Sequence, residues 1–376
     1  PGSNNFAVSG ALTADGRAIV ADDMHLGLRA PSIWFRARLR YADARAPGGK
    51  VDMTGFTLPG LPAVVVGSNT HIAWAFTNSY VDTADWRIHI DCGARDADAS
   101  TCVKPTTHTE TIRVAGGAPV AFEVEETEWG PVLHRDGDRL FALRWNAHLK
   151  GALGFGHTDF MVARDLHEAM AMTDRSAMPT QNLLIGDSWG RIGWRLIGPL
   201  AQRSAGCEPT APDTDLAQAG TCPAWRISTD RSPRVIEPGY DRLWSANNRT
   251  MDGAALAQIG DGGYAFGARA RQIRNRLFAR ETFTERDLLA VQLDDRAVFQ
   301  TQWWTLLRDT AARARSPALS ELSEASKRWE GRASADSVGY RIVRAWRLAV
   351  HARVAEGLTA PAHAALGEEF EMPAFQ

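Results

Sequence analysis

The sequence predicts an α+β fold in which strands come first and helices gather late. Two observations carry the prediction. Up to about residue 200, short apolar alternations are separated by Pro-Gly, Asp-Gly and Ser-Asn turn signals, whereas after residue 264 apolar residues recur at helical spacing. No internal repeat, low-complexity tract or interdomain linker breaks the 376 residues, a length that allows one large domain or several smaller ones.

Taken in order, residues 5–25 read as a β-hairpin: NFAVSGAL alternates, TADGR supplies an Asp-Gly turn and AIVADDMH returns. Residues 58–90 hold short β-rich runs, and further strands are predicted near 109–125, 139–146 and 182–198. DFMVARDLHEAMAM (159–172) has apolar residues at helical spacing and reads as one helix. Later helices are predicted over GARARQIRNRLFAR, over TERDLLAVQLDDR with its Thr-x-x-Asp start, and near 300–314 and 336–355.

Lys+Arg 42 against Asp+Glu 44 gives a formal charge of -2, with no basic block, so nucleic acid is not an expected partner. No apolar run approaches the roughly 20 residues of a membrane span, so a membrane is not expected either. The cysteines form two close pairs, Cys92 with Cys102 and Cys207 with Cys222, each bracketing a polar stretch. Neither pair has Cys-x-x-Cys spacing, so local disulfides clipping surface loops fit better than zinc. Disulfides imply an oxidising compartment, periplasmic or extracellular.

Two serines compete for chemistry. Gly186–Gly190, GDSWG, fits G-x-S-x-G, but a nucleophile elbow needs a strand, a strained turn and then a helix. Here Ile192, Trp194 and Leu196 alternate after the motif, so the context is strand, turn, strand, and Ser188 is read as a hairpin residue. Ser3 has the better physical case. An N-terminal serine carries its own base, an α-amine with an unperturbed pKa of about 7.7–8.0. That amine exists only once the Gly2–Ser3 bond is cut, and glycine before the serine suits self-cleavage because it tolerates a strained backbone.

SNNFAVSG followed by ADGRAIVADDMHLGL resembles the start of the β-chain of the penicillin acylase family of N-terminal nucleophile hydrolases. The blocks at 58–86, EWGPVL at 128–133, GDSWGRIGWRLIGPL at 186–200 and LWSANNRT at 243–250 resemble the family in the same order. The resemblance covers most of residues 3–280 and implies an αββα sandwich assembled from two chains cut from one precursor. Residues 1–2 are then spacer and 3–376 the β-chain, with the α-chain and the last strands of the fold expected outside this sequence.

Position by position, the resemblance makes Ser3 the nucleophile and His25 the residue that positions the serine and its amine. Asn78 would supply a backbone N–H to the oxyanion and Asn247 a side-chain N–H, with Asn248 as the register-shifted rival. Arg269, 22 residues beyond Asn247, would hold both groups in place, with Arg271 as its rival. Leu26 matches a position lining the acyl pocket. No catalytic cofactor is implied. Some members bind a structural calcium through two aspartates, which match Asp82 and Asp85. The expected activity is removal of the acyl chain from N-acyl-homoserine lactones, with penicillin or cephalosporin side-chain amides as the alternative. The rivals are a non-catalytic acyl-binding relative and, more distantly, a lipase or esterase built around Ser188.

Overall fold

The N-terminal alternation folds as expected. In the computed structural model, which describes residues 2–61, 63–94, 98, 100–207, 222–367 and 370–372, β1 (Gly2–Val8) pairs antiparallel with β2 (Ile19–His25). The register puts Ser3 opposite Met24, Asn5 opposite Asp22 and Gly2 opposite His25. Pro1, and residues 208–221 within the second cysteine bracket, lie outside the described residues.

No strand is predicted from the sequence over 35–57, yet β3 (Phe35–Ala42) and β4 (Lys50–Thr57) form a hairpin there. Phe35, Ala37, Leu39 and Tyr41 alternate with three arginines, the charged pattern that suits an exposed sheet edge. The 58–90 region supplies β5 (Val66–Ser68), β6 (Ile72–Asn78) and β7 (Ala84–Ile90). A hairpin of β8 (Thr106–Ile112) and β9 (Val120–Glu126) follows, then β10 (Val132–Asp136) and β11 (Arg139–Trp145), which pairs with β7. The short β12 (Gly154–Phe155) and β13 (Ser176–Ala177) flank α1 (Leu166–Met172). Next come the hairpin of β14 (Gln181–Asp187) and β15 (Ile192–Ile197), the pair β16 (Leu200–Gln202) and β17 (Arg226–Ser228), then β18 (Arg234–Ile236) and β19 (Arg242–Ser245).

Two sheets face each other. One has the order β19-β1-β2 and the other β18-β15-β14-β6-β5-β4-β3. Asn5, on the inward face of β1, donates to the carbonyls of Asn182 at 3.1 Å and Ala75 at 3.4 Å in the larger sheet. Ala7, Leu184, Trp194, Leu196 and Leu243 fill the space between the sheets. Ser3 shares the face of Asn5, because strand side chains alternate with period two. The opposite face of the larger sheet packs Trp74, Phe76, Leu183 and Ile185 against Phe160, Leu166 and Met170. This is the expected α+β sandwich.

The segment 159–172 is not one helix. A 3-10 turn spans Gly156–Val162, Ala163 is extended, and α1 begins only after Asp165. The Asp165 carboxylate accepts from the Glu168 N–H at 2.9 Å, an N-cap that restarts the chain.

GDSWG is the β14–β15 turn, and its buried carboxylate explains the motif. Asp187 Oδ1 accepts from the N–H groups of Trp189 (3.0 Å) and Arg191 (2.9 Å), and Oδ2 accepts from the Leu166 N–H (3.0 Å) and Arg191 Nε (2.8 Å). Gly190 adopts φ 88°, and a Cβ there would lie 2.5 Å from the Gly16 carbonyl oxygen. Ser188 is exposed. Asp187→Ala is therefore expected to cost about 3 kcal/mol by stranding three backbone N–H groups, whereas Ser188→Ala stays within about 0.5 kcal/mol. Urea unfolding of both variants checks this.

Chain contacts divide the protein into two compact units, Pro1–Ala270 with Arg280–Glu285, and Arg271–Ala279 with Arg286–Gln376. After α2 (Gly253–Ile259), α3 (Ala268–Phe278) starts in the first unit. α4 (Glu285–Gln292), α5 (Val298–Arg313), α6 (Pro317–Ala325) and α7 (Val338–Leu366) follow. Within the second unit α5 packs on α6 and α7, with Trp303 edge-on to Trp346. α6, capped by Ser316 and started by Pro317, is a helix not predicted from the sequence. Both predicted disulfides form, Cys92–Cys102 and Cys207–Cys222. No helix among the described residues is long and apolar enough to cross a membrane.

Candidate active site

The N-terminal hairpin delivers Ser3, 6 % exposed, to one side chain: Asn247. β19 ends at Ser245, and Asn247 turns back with φ 63°, a left-handed conformation that asparagine tolerates better than most residues. Its amide is completely used. Oδ1 accepts from the Ser3 N–H at 2.7 Å and from Arg269 Nη2 at 2.9 Å. Nδ2 donates to Ser3 Oγ at 3.2 Å and to the Asn78 carbonyl at 2.9 Å. Because a guanidinium can only donate, the oxygen of this amide must be the atom facing Arg269.

Arg269 closes the arrangement. Nη1 donates to the Ser3 carbonyl at 2.9 Å and to Asn4 Oδ1 at 2.7 Å. Burial lowers the pKa of this guanidinium, opposed by the Asp23 charge, and it stays cationic at any working pH. Ser3, Asn78, Asn247 and Arg269 thus come together from four separated stretches. The rivals do not. Asn248 serves its own turn, accepting from the Ala246 N–H at 3.0 Å, and Arg271 is exposed.

His25 sits one step away. Its Nε2 is 3.0 Å from Asp23 Oδ2 and 3.4 Å from Asn4 Nδ2, and Asn4 is also the residue held by Arg269. Its ring is linked to the Ser3 strand through Asn4, directly and by way of Asp23, rather than by a bond to Ser3. The sequence reading did not single out these two residues, although the Asn pair after Ser3 and the adjacent carboxylates before His25 are visible there. A Cβ on Gly2 would lie 3.2 Å from Arg269 Nη2 and 3.3 Å from Asn247 Oδ1, so glycine before Ser3 also keeps this cluster clear.

Beside Met24, the cross-strand partner of Ser3, lies a cavity of about 560 Å³ between β2 and strands β4 to β6. Met24, Trp34, Phe56, Val66 and Trp74 make it mostly apolar, with the ionisable Asp22, Asp23 and Arg36 on its wall. Leu26 is not among the cavity's lining residues and is half exposed. Two residues beyond Met24, it leaves the strand that carries the wall.

Burial, reinforced by the Asp23 charge, pushes Asp22 well above the usual carboxylate range against the backbone N–H groups of Phe76 and Asp23. The folded protein then binds this proton more tightly than the unfolded chain. Its stabilisation is complete below the unfolded pKa of about 3.9 and lost as pH rises through the folded value. Asp22→Asn is expected to flatten the fall of Tm between acidic and neutral pH, which thermal melts across that range would measure.

Asp82 and Asp85 do not fit a calcium ion as arranged. Arg203, 6 % exposed at its side chain, donates to both oxygens of Asp85 at 2.8 and 2.9 Å and lies 3.4 Å from Asp82. Among the described residues no group of three or more His, Cys, Asp or Glu side chains is placed to hold a metal.

The acyl-homoserine lactone acylase QuiP of Pseudomonas aeruginosa is 26% identical over 327 residues, covering 79% of this chain and 36% of its own length. A penicillin acylase 2 proenzyme of a Pseudomonas species is 27% identical over 367 residues, covering 93% of this chain and 44% of its own length. The chain thus spans less than half of either relative. A thermostable penicillin G acylase from Alcaligenes faecalis shares the fold with a TM-score of 0.70 at 19% identity, over 89% of this chain and 60% of that one. The family profile described as Penicillin amidase matches residues 1–372, and the chain belongs to that family.

Proposed function

We propose that this chain is the nucleophile-bearing part of an amide hydrolase that removes the acyl group from N-acyl-homoserine lactones. The observation that carries the reading is the pair of hydrogen bonds between Ser3 and Asn247, one through the nitrogen and one through Oγ of the serine. The same nitrogen that donates here as a peptide N–H becomes an amine once Gly2–Ser3 is cut.

Maturation starts with Ser3 Oγ attacking the Gly2 carbonyl. The C–N bond breaks, an ester forms, and water hydrolyses it to leave a free α-amine. In turnover that amine takes the Ser3 hydroxyl proton as Oγ adds to the substrate carbonyl. The oxyanion is met by the Asn78 N–H and by Asn247 Nδ2, whose N–H is released from Ser3 Oγ as that oxygen bonds to the substrate carbon, and both stabilise developing charge more than ground-state charge. The proton passes to the leaving amine, and water then attacks the acyl ester. Arg269 keeps Asn247 oriented through Oδ1. His25 holds the Asp23–Asn4 side of the cluster.

The aliphatic and aromatic part of the cavity beside Met24 suits an acyl chain, and the relative from Pseudomonas aeruginosa is named for this substrate class. The second reading, a penicillin or cephalosporin acylase, is favoured by the longer match to the penicillin acylase 2 proenzyme. An α-chain from the same precursor is the proposed partner, and the two disulfides favour a periplasmic or secreted location. Incubating the cleaved protein with a long-chain N-acyl-homoserine lactone should release free homoserine lactone. Release of 6-aminopenicillanic acid from penicillins with none from the lactone would overturn the first reading in favour of the second.

A further inference from the structure

The most completely built polar site away from Ser3 is the one around Asp82 and Asp85. Arg203 leaves the end of β16 and enters it with a two-pronged grip. Nε donates to Asp85 Oδ2 at 2.8 Å and Nη2 to Asp85 Oδ1 at 2.9 Å, while Nη2 stands 3.4 Å from Asp82 Oδ1. Trp225 Nε1 adds a 2.6 Å bond to Asp85 Oδ2, and the Ala84 N–H adds one of 3.1 Å to Asp82 Oδ1. Both oxygens of Asp85 and one of Asp82 are therefore already facing donors.

Charge and space tell the same way. A calcium ion needs six to eight oxygen ligands at about 2.3–2.6 Å, and a buried guanidinium between the two carboxylates would repel it. Arg203 Nη1 is buried with no acceptor among the described residues, so the remaining space presents a donor where a cation needs a lone pair. Arg144, whose guanidinium lies 5.1 Å from the Trp225 ring, places a second positive charge in the field of Asp85. Arg203 is the cation that reaches both aspartates, while Arg144 is shared with Glu128.

The location gives the grip a purpose. Asp82 and Asp85 lie just after Asn78. The intervening loop is stitched to residues 259–262, between Asn247 and Arg269, by the Asp82 N–H to Ile259 carbonyl and Gly262 N–H to Tyr80 carbonyl bonds, both 2.9 Å. We propose that Arg203 is a built-in cation, which holds Asp82 and Asp85 in place of a divalent metal and keeps the loop after Asn78 ordered without calcium.

The test reads stability and metal binding, so it stands whichever acyl-amide is the substrate. Thermal melts of the wild-type protein are expected to be unchanged by excess EDTA and by millimolar calcium relative to magnesium, and calorimetry should detect no calcium uptake. Arg203→Ala is expected to lower Tm by several degrees, and calcium should then raise it, because two carboxylates have lost their counter-charge. A wild-type Tm that falls in EDTA, or stoichiometric calcium binding that disappears in Asp85→Asn, would overturn the proposal. So would an Arg203→Ala protein as stable as wild type. If Arg203→Ala does not fold, the wild-type arms still decide, together with Arg203→Lys. That variant keeps a charge but not the planar fork, and is expected to melt lower and remain indifferent to calcium.

Discussion

Ser3→Ala is expected to leave the Gly2–Ser3 bond intact and to reduce amide hydrolysis on the order of 10³-fold or more, as removal of a covalent nucleophile does. The change deletes one oxygen from a side chain already held by its backbone: the Ser3 N–H to Asn247 and the Ser3 carbonyl to Arg269 both survive. Folding should be spared, so uncut intact mass with a native melt isolates the chemistry. A cut chain, or retained turnover, would refute Ser3 as nucleophile. Loss of turnover in Ser188→Ala would point to the rival serine, whose turn is explained without catalysis by Asp187.

Asn247→Asp is the sharper probe of the oxyanion site. It keeps an oxygen for Arg269 Nη2 and the Ser3 N–H but removes the Nδ2 donor to Ser3 Oγ and to the Asn78 carbonyl. Loss of one such donor costs roughly 2.7–4 kcal/mol of barrier, or about 10²–10³-fold in kcat. KM should change little, because the donor acts on charge that develops in the transition state. Asn247→Ala should lose the same turnover and stability as well, since it strands Arg269 Nη2 and the Ser3 N–H and places alanine at φ 63°. Steady-state kinetics with melts on both variants separates the two effects. A kcat within a few-fold of wild type in Asn247→Asp would remove Asn247 from the oxyanion role.

Local pattern was a good guide wherever the chain's own neighbours decide the structure. The hairpin of residues 5–25, the β14–β15 turn and both cysteine pairings depend on alternation, turn residues and short spacing. The misses are also local in origin. Asp165 followed by Glu168 is a capping pair inside what reads as one apolar period, so the helix at 159–172 starts late. In β3 the arginines on every second residue obscure an alternation that only an edge strand can expose.

By itself the sequence determined the class of fold, the family and the candidate nucleophile. Which of the candidate neighbours reach Ser3 was decided only in three dimensions. Asn247 and Asn248 have the same chemistry, but only the left-handed backbone at 247 turns a side chain onto Ser3, 244 residues away. Arg269 and Arg271 differ by two positions, which on a helix rotates the side chain by about 200° and leaves one on the site and the other exposed. Asp82 and Asp85 read as metal ligands until Arg203, 118 residues beyond Asp85, folds in between them. Spacing along the chain gives direction only within one element. Between elements, the partner of a charge is whichever group the packing brings within hydrogen-bonding reach.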